Sequence, residues 1–225
     1  MSIPAQVVST TIKGLSHLLC RIDASQLPQV PQTGPLILVA NHINFLDAPV
    51  VYTQLLPRPM TGFAKIETWE NPLIGALFSL YRSIPLRRGQ ADVGAIRRAL
   101  TALAAGQIVI VAPEGTRSGD GRLRRAEPGV VTLALHSRAP LLPIAFYGNE
   151  TFHLNLRRLR RTDFHFAVGR QFKLNLGERR LTQSLRQEIA DQIMYQMAAL
   201  LPQEYRGYYA DLAKARSDFF CFDPV

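Results

Sequence analysis

Short unbroken apolar runs alternate along this chain with segments whose apolar residues recur every three or four positions. The runs at 35–40, 61–65, 82–86, 107–112, 140–146 and 163–168 predict strands, and the periodic segments at 48–56, 71–80, 91–105, 129–137 and 182–200 predict helices. In the segment 91–105, Val93, Ile96, Leu100 and Leu103 share one helical face while Arg97 and Arg98 lie opposite. Alternation of this kind predicts the α/β class, a sheet covered by helices. Residues 4–20 read as a further, N-terminal amphipathic helix, with Val8, Ile12, Leu15 and Leu19 on a stripe and Lys13 and His17 elsewhere. Such a stripe serves either core packing or a lipid surface. Closely spaced prolines in 27–35 break both periodicities, so the chain divides into 1–33, a helix and Pro-rich linker, and 34–225, the main domain. The Tyr- and Phe-rich tail 206–225 has no readable role.

Length and charge narrow the class. A chain of 225 residues is long enough for a proper core without a metal or disulfide staple. Two cysteines, Cys20 and Cys221, form no framework and read as reduced thiols, and the five histidines are too scattered to suggest a metal site. The formal charge is +9, and of 26 cationic residues only Lys13, Lys65, Lys173 and Lys214 are lysine. The planar fork of arginine suits phosphate, which points to anionic lipid, coenzyme A or an acidic carrier protein. Nucleic acid is not expected, because the arginines are not interleaved with a base-stacking aromatic pattern. No apolar stretch approaches the roughly 20 residues that span a bilayer, and the N-terminus lacks the pattern of a signal peptide. The expectation is a peripheral protein on the cytoplasmic face of a membrane. Residues 154–161 (LNLRRLRR) mix apolar and cationic side chains and read either as a contact with an anionic surface or as a solvated basic loop.

The chemistry concentrates in two loops. Asn41-His42-Ile43-Asn44-Phe45-Leu46-Asp47 follows one predicted strand and precedes a helix with Pro49 in its first turn. Five residues along a helix would turn Asp47 about 140° away from His42, so a contact between them needs a non-helical loop. Folded back, the carboxylate would fix the imidazole tautomer and leave the other ring nitrogen as a base. Neither cysteine sits in a plausible nucleophile motif, so His42 is expected to activate a substrate hydroxyl directly. The second loop, Pro113-Glu114-Gly115-Thr116-Arg117-Ser118, follows the strand predicted at 107–112, at the strand end where open α/β sheets bind ligands. Gly115 permits close backbone approach, and its amide is a candidate donor to an anion. By itself, Glu114-Gly115-Thr116 could equally be a turn with a capping Thr.

These residues resemble the glycerolipid acyltransferases typified by bacterial 1-acylglycerol-3-phosphate acyltransferase, over about 34–148. The Asn-His followed by Asp is similar to their first block, Phe63-Ala64-Lys65-Ile66-Glu67 to the strand after it, and Ser83 to Arg88 to the second. Pro113 to Ser118 matches the third block in full, and Leu142-Pro143-Ile144 fits the apolar fourth. Two positions depart: Glu127 stands where a basic residue is common, and a Pro with an extra Arg alters the second block, so that Arg88 aligns with the family Arg. The resemblance implies a glycerolipid acyltransferase-like sheet and transfer of a fatty acyl group from acyl-CoA or acyl carrier protein, a thioester co-substrate, without cofactor or metal. The implied acceptor is the sn-2 hydroxyl of lysophosphatidic acid, giving phosphatidic acid. His42 would be the base, Asp47 its orienter, Arg88 and Arg117 the phosphate ligands and Glu114 the organiser of the acceptor site. Gly115, Thr116 and Lys65 join the candidate substrate-binding residues, and Asn41 binds either substrate or loop backbone. Rival readings are the same chemistry on another lysolipid or glycerol 3-phosphate, and a non-catalytic peripheral membrane or nucleic-acid-binding protein.

Overall fold

The computed structural model describes residues 3–90 and 92–222. Its centre is a nine-stranded sheet whose main path runs β1-β7-β6-β2-β5-β3-β4. The strands are β1 (Cys20–Asp23), β2 (Leu36–Ala40), β3 (Met60–Lys65), β4 (Ile84–Leu86), β5 (Ile108–Val111), β6 (Leu141–Tyr147), β7 (Thr162–Val168), β8 (Phe172–Leu174) and β9 (Phe220–Phe222). The helices are α1 (Ile3–Leu19), α2 (Asp47–Gln54), α3 (Pro72–Leu80), α4 (Val93–Ala104), α5 (Gly129–Ser137), α6 (Phe152–Arg157) and α7 (Gln183–Ala198). Strands β6, β2, β5, β3 and β4 are mutually parallel, whereas β7 runs antiparallel to β6. Helices on both faces explain why β2 is buried at all five positions and reads as a continuous apolar run.

Alternate residues of β2 feed the two halves of the core. Ile37 and Val39 pack with Ala95, Ala99 and Leu103 of α4 and with α5 and α7, while Leu36, Leu38 and Ala40 face Val50 and Val51 of α2 and an aromatic group of Phe146, Phe164 and Phe166. On α4 the deepest contacts come from the small Ala95 and Ala99, and Val93, expected on the buried face, is exposed.

Three strands and one helix were not legible in the sequence. Strand β1 continues directly from α1 and is only four residues long; its pairing with β7 is marked by Arg21, whose guanidinium donates to both carboxylate oxygens of its cross-strand neighbour Asp163 at 2.6 and 3.0 Å. Strands β8 and β9 are three residues each, and the tail returns so that Phe172 meets Phe220 and Phe222. Both cysteines are free, Cys20 buried and Cys221 exposed.

The segment 154–161 is divided between α6 and a turn, and its arginines are not one set. Arg157, Arg158 and Arg160 are exposed. Arg161, exposed as well, donates to the carbonyls of His17 and Cys20 at 2.7 and 2.6 Å, where a cation meets the negative end of the α1 dipole. The stripe on α1 is also rearranged. Val8, Ile12 and Leu19 are half-buried beside the small buried residues Ala5, Ser9 and Ser16, whereas Ile3, Val7, Leu15 and Leu18 form an exposed apolar face. Among the described residues no helix is long and apolar enough to cross a membrane.

Candidate active site

The parallel strands set the geometry, because their C-terminal ends all lie at one end of the sheet. The loop 41–46 leaves β2 there, and the loop 112–128 leaves the neighbouring β5. The two loops are stitched by backbone: Ser118 N–H donates to the His42 carbonyl at 2.7 Å and Gly119 N–H to that of Ile43 at 3.0 Å. Gly115 turns the start of the second loop with φ +67, in the left-handed region that glycine enters without strain.

Within this frame the His42 ring meets the Asp47 carboxylate, Nδ1 to Oδ2, at 2.7 Å. The contact is possible because Asp47 begins α2, so the intervening residues are loop and the chain folds back on itself. Oδ2 also accepts the N–H groups of Ile43 at 2.6 Å and Asn44 at 2.9 Å, while Oδ1 accepts from Asn149 Nδ2 at 2.7 Å. An ionised carboxylate only accepts, so Nδ1 carries the proton and Nε2 holds the lone pair. The Asp47 side chain is 3% exposed and that of His42 22%, so the base reaches solvent while its orienter does not. Arg117 Nε lies 3.4 Å from His42 Nε2, a cation beside the reactive nitrogen.

Glu114 sits beneath the pair. Its two oxygens accept the backbone N–H groups of His42 and Arg124, each at 2.9 Å, so one carboxyl group holds both loops. Burial pushes its pKa up to about 7, against the lowering effect of those two bonds and of the Arg124 charge. Arg124 also donates to the Ser118 carbonyl at 2.9 Å.

The remaining candidates divide by position. The Asn41 side chain is buried and bonded in both directions to the backbone of Phe146, donating at 2.9 Å and accepting at 2.7 Å, so it locks β2 to β6. The amide of Gly115 donates to the Ala112 carbonyl at 3.1 Å, closing the turn. Thr116 is exposed. Lys65 closes β3, and Arg88 lies two residues beyond β4; both are exposed at the catalytic end of the sheet, and among the described residues neither is bonded to His42, Asp47 or Glu114. Asn149 and Asn44 are the members that sequence reasoning missed. Asn149 follows Gly148 after β6, a separation of 102 residues from Asp47 that no spacing rule reaches. Among the described residues no group of three or more His, Cys, Asp or Glu side chains could hold a metal ion.

Residues 21–147 match the sequence profile named Acyltransferase. The chain belongs to that family. Other members include the chloroplastic 1-acyl-sn-glycerol-3-phosphate acyltransferase BAT2 of Brassica napus, 33% identical over 132 residues, which are 57% of this chain and 38% of that protein. A 1-acyl-sn-glycerol-3-phosphate acyltransferase of Bacillus subtilis is 30% identical over 120 residues, 53% of this chain and 59% of the relative. The chain thus spans between about two fifths and three fifths of the length of the curated relatives it matches. The crystal structure of the 1-acyl-sn-glycerophosphate (LPA) acyltransferase PlsC from Thermotoga maritima superposes with a TM-score of 0.60 at 21% identity, covering 87% of this chain and 79% of that one. This Acyltransferase member therefore shares the fold of PlsC, a mixed α/β sheet flanked by helices and preceded by an N-terminal helix.

Proposed function

We propose that the protein transfers a fatty acyl group from a thioester to the sn-2 hydroxyl of lysophosphatidic acid, forming phosphatidic acid. The observation that carries the reading is the His42 ring, anchored through Nδ1 by Asp47 with its Nε2 lone pair facing the Arg117 guanidinium, which donates to it at 3.4 Å. Its relatives carry the name of that reaction. Among the described residues no Ser, Thr or Cys side chain is bonded to His42, which supports direct activation of the acceptor over an acyl-enzyme. Nε2 takes the hydroxyl proton as the oxygen attacks the thioester carbonyl. The tetrahedral intermediate then collapses, breaking the carbon–sulfur bond and expelling the thiolate, which the imidazolium can protonate. Asp47 stabilises that imidazolium. Arg117 turns from Nε2 to the acceptor phosphate, and Arg88 binds the same group as a charge-assisted fork. Acyl-CoA or acyl carrier protein supplies the acyl chain, and no cofactor takes part.

Membrane residence belongs to the same proposal. Ile3, Val7, Leu15 and Leu18 on α1 are exposed, as are Leu73 and Ile74 on α3 and Leu154, Leu156 and Leu159 in and after α6. Arg157, Arg158 and Arg160 stand among the last group. Exposed apolar side chains flanked by arginine suit an anionic lipid surface, where acceptor and product reside. The non-catalytic rival is opposed by a complete His42–Asp47 relay.

The test is a product analysis by mass spectrometry, with purified protein, labelled acyl-CoA or acyl carrier protein, and a panel of lyso-acceptors that includes glycerol 3-phosphate. Phosphatidic acid should dominate, and a folded His42→Ala protein should form almost none. Wild-type turnover by that variant would overturn the mechanism, and a different dominant product would replace the acceptor.

A further inference from the structure

We infer that Asn149 is a positioning residue for the catalytic base, acting through Asp47. The inference rests on the reading of His42 as that base. Asn149 is fully buried, and its Nδ2 donates to Asp47 Oδ1 at 2.7 Å. Among the described residues it is the one donor to that oxygen, whereas His42, Ile43 and Asn44 all converge on Oδ2. A carboxylate held only at Oδ2 can rotate about its Cβ–Cγ bond and present either oxygen to the imidazole. A donor on Oδ1 stops that rotation and fixes which lone pair faces Nδ1.

Two features separate this role from ordinary core packing. Asn149 Oδ1 is buried without a hydrogen-bond partner, which is a cost a purely structural site would avoid with an apolar side chain of the same shape. The orientation is nonetheless required, because turning the amide over would set its carbonyl oxygen against the carboxylate. The backbone is also committed to aiming this side chain. Gly148 has φ +92, and a Cβ there would lie 3.0 Å from the Asp163 carbonyl oxygen, so the turn that delivers Asn149 needs glycine. The Asn149 carbonyl then accepts from Asn44 Nδ2 at 2.7 Å, and Asn44 Oδ1 accepts from Leu46 N–H at 2.9 Å, which binds the loop carrying His42 to the same turn. Neutral amide donors orient the carboxylate without adding a charge that would compete with the imidazolium.

The test is Asn149→Leu, close in size and unable to donate. Turnover should fall about 10- to 150-fold, the value of one charge-assisted hydrogen bond, with KM for acceptor and thioester within about twofold of wild type. The second readout is the proton NMR signal of His42 Nδ1–H, assigned by its loss in His42→Gln; it should move upfield or broaden in the leucine variant. An unchanged kcat, a loss confined to KM, or a lower melting temperature with an unaltered Nδ1–H signal would each overturn the inference. Should the leucine variant fail to fold, the wild-type side-chain amide protons of Asn149 carry the test: they should shift in Asp47→Asn, and an unmoved pair would overturn it. Absence of transfer to lysophosphatidic acid by the wild type would instead remove the proposed reaction, and the NMR signals would still report whether Asn149 sets the pair.

Discussion

Asp47→Asn isolates the charge of the relay from its geometry. Ile43 N–H, Asn44 N–H and His42 Nδ1 all point at Oδ2, so the introduced amide must keep its oxygen there and turn its NH2 toward Asn149. Asn149 can answer by turning over, because its own oxygen has no partner at present. Every bond at Oδ2 then survives, the imidazole keeps its tautomer, and stability should change by no more than about 1 kcal/mol. What disappears is the attraction between carboxylate and imidazolium. With Nδ1 2.7 Å from Oδ2 the charge centres are roughly 4 Å apart, and at an effective dielectric near 20 their interaction is about 4 kcal/mol at most. Turnover should fall roughly 10²- to 10³-fold, with KM nearly unchanged. Steady-state kinetics with lysophosphatidic acid and a labelled thioester, beside a thermal melt, measure both quantities. A loss under threefold would mean that the carboxylate charge does not assist the base. Unfolding would show that the accounting of donors around Asp47 is wrong.

Glu114 predicts a pH effect on stability. Its folded pKa of about 7 lies above the unfolded value of 4.5, so the folded state holds the extra proton between them and stability falls as pH rises through that window, by about 3 kcal/mol. Denaturant titrations at pH 5 and pH 7 should show a flatter dependence in Glu114→Gln, and equal slopes would refute it. Replacing Arg88 or Arg117 with Ala should cost about 10- to 150-fold in efficiency with lysophosphatidic acid and far less with monoacylglycerol; equal losses on both would assign these residues to the fold or the donor. Changing Arg157, Arg158 and Arg160 together to Gln should weaken sedimentation with anionic vesicles, most at low salt, while leaving turnover on detergent-dispersed acceptor intact. Arg161→Gln should do the reverse, lowering the melting temperature by the loss of about 0.3–1 kcal/mol at the α1 terminus and sparing vesicle binding.

Local pattern determined much of this protein. Buried parallel strands are continuous apolar runs, so β2, β5 and β6 were readable, and the amphipathic period revealed α4, α5 and α7. The pairing of His42 with Asp47 was legible because one short loop joins them, from the end of β2 to the first residue of α2, and leaves few ways to fold. Contacts between distant segments carry no such signal. Nothing near Asn149 announces that it will meet Asp47, and nothing in a four-residue strand such as β1 separates it from the end of the preceding helix. The arginines of 157–161 look equivalent in sequence, yet only the pairing of β1 with β7 brings Arg161 to the carbonyls at the end of α1. Asn41 shows the same division: a polar residue beside a base could bind substrate, and the neighbouring strand instead takes both ends of its amide. Sequence fixes the chemistry a residue can perform, whereas the partner that claims its donors and acceptors is chosen by tertiary proximity, because a buried polar group must bond to whatever the fold brings within reach.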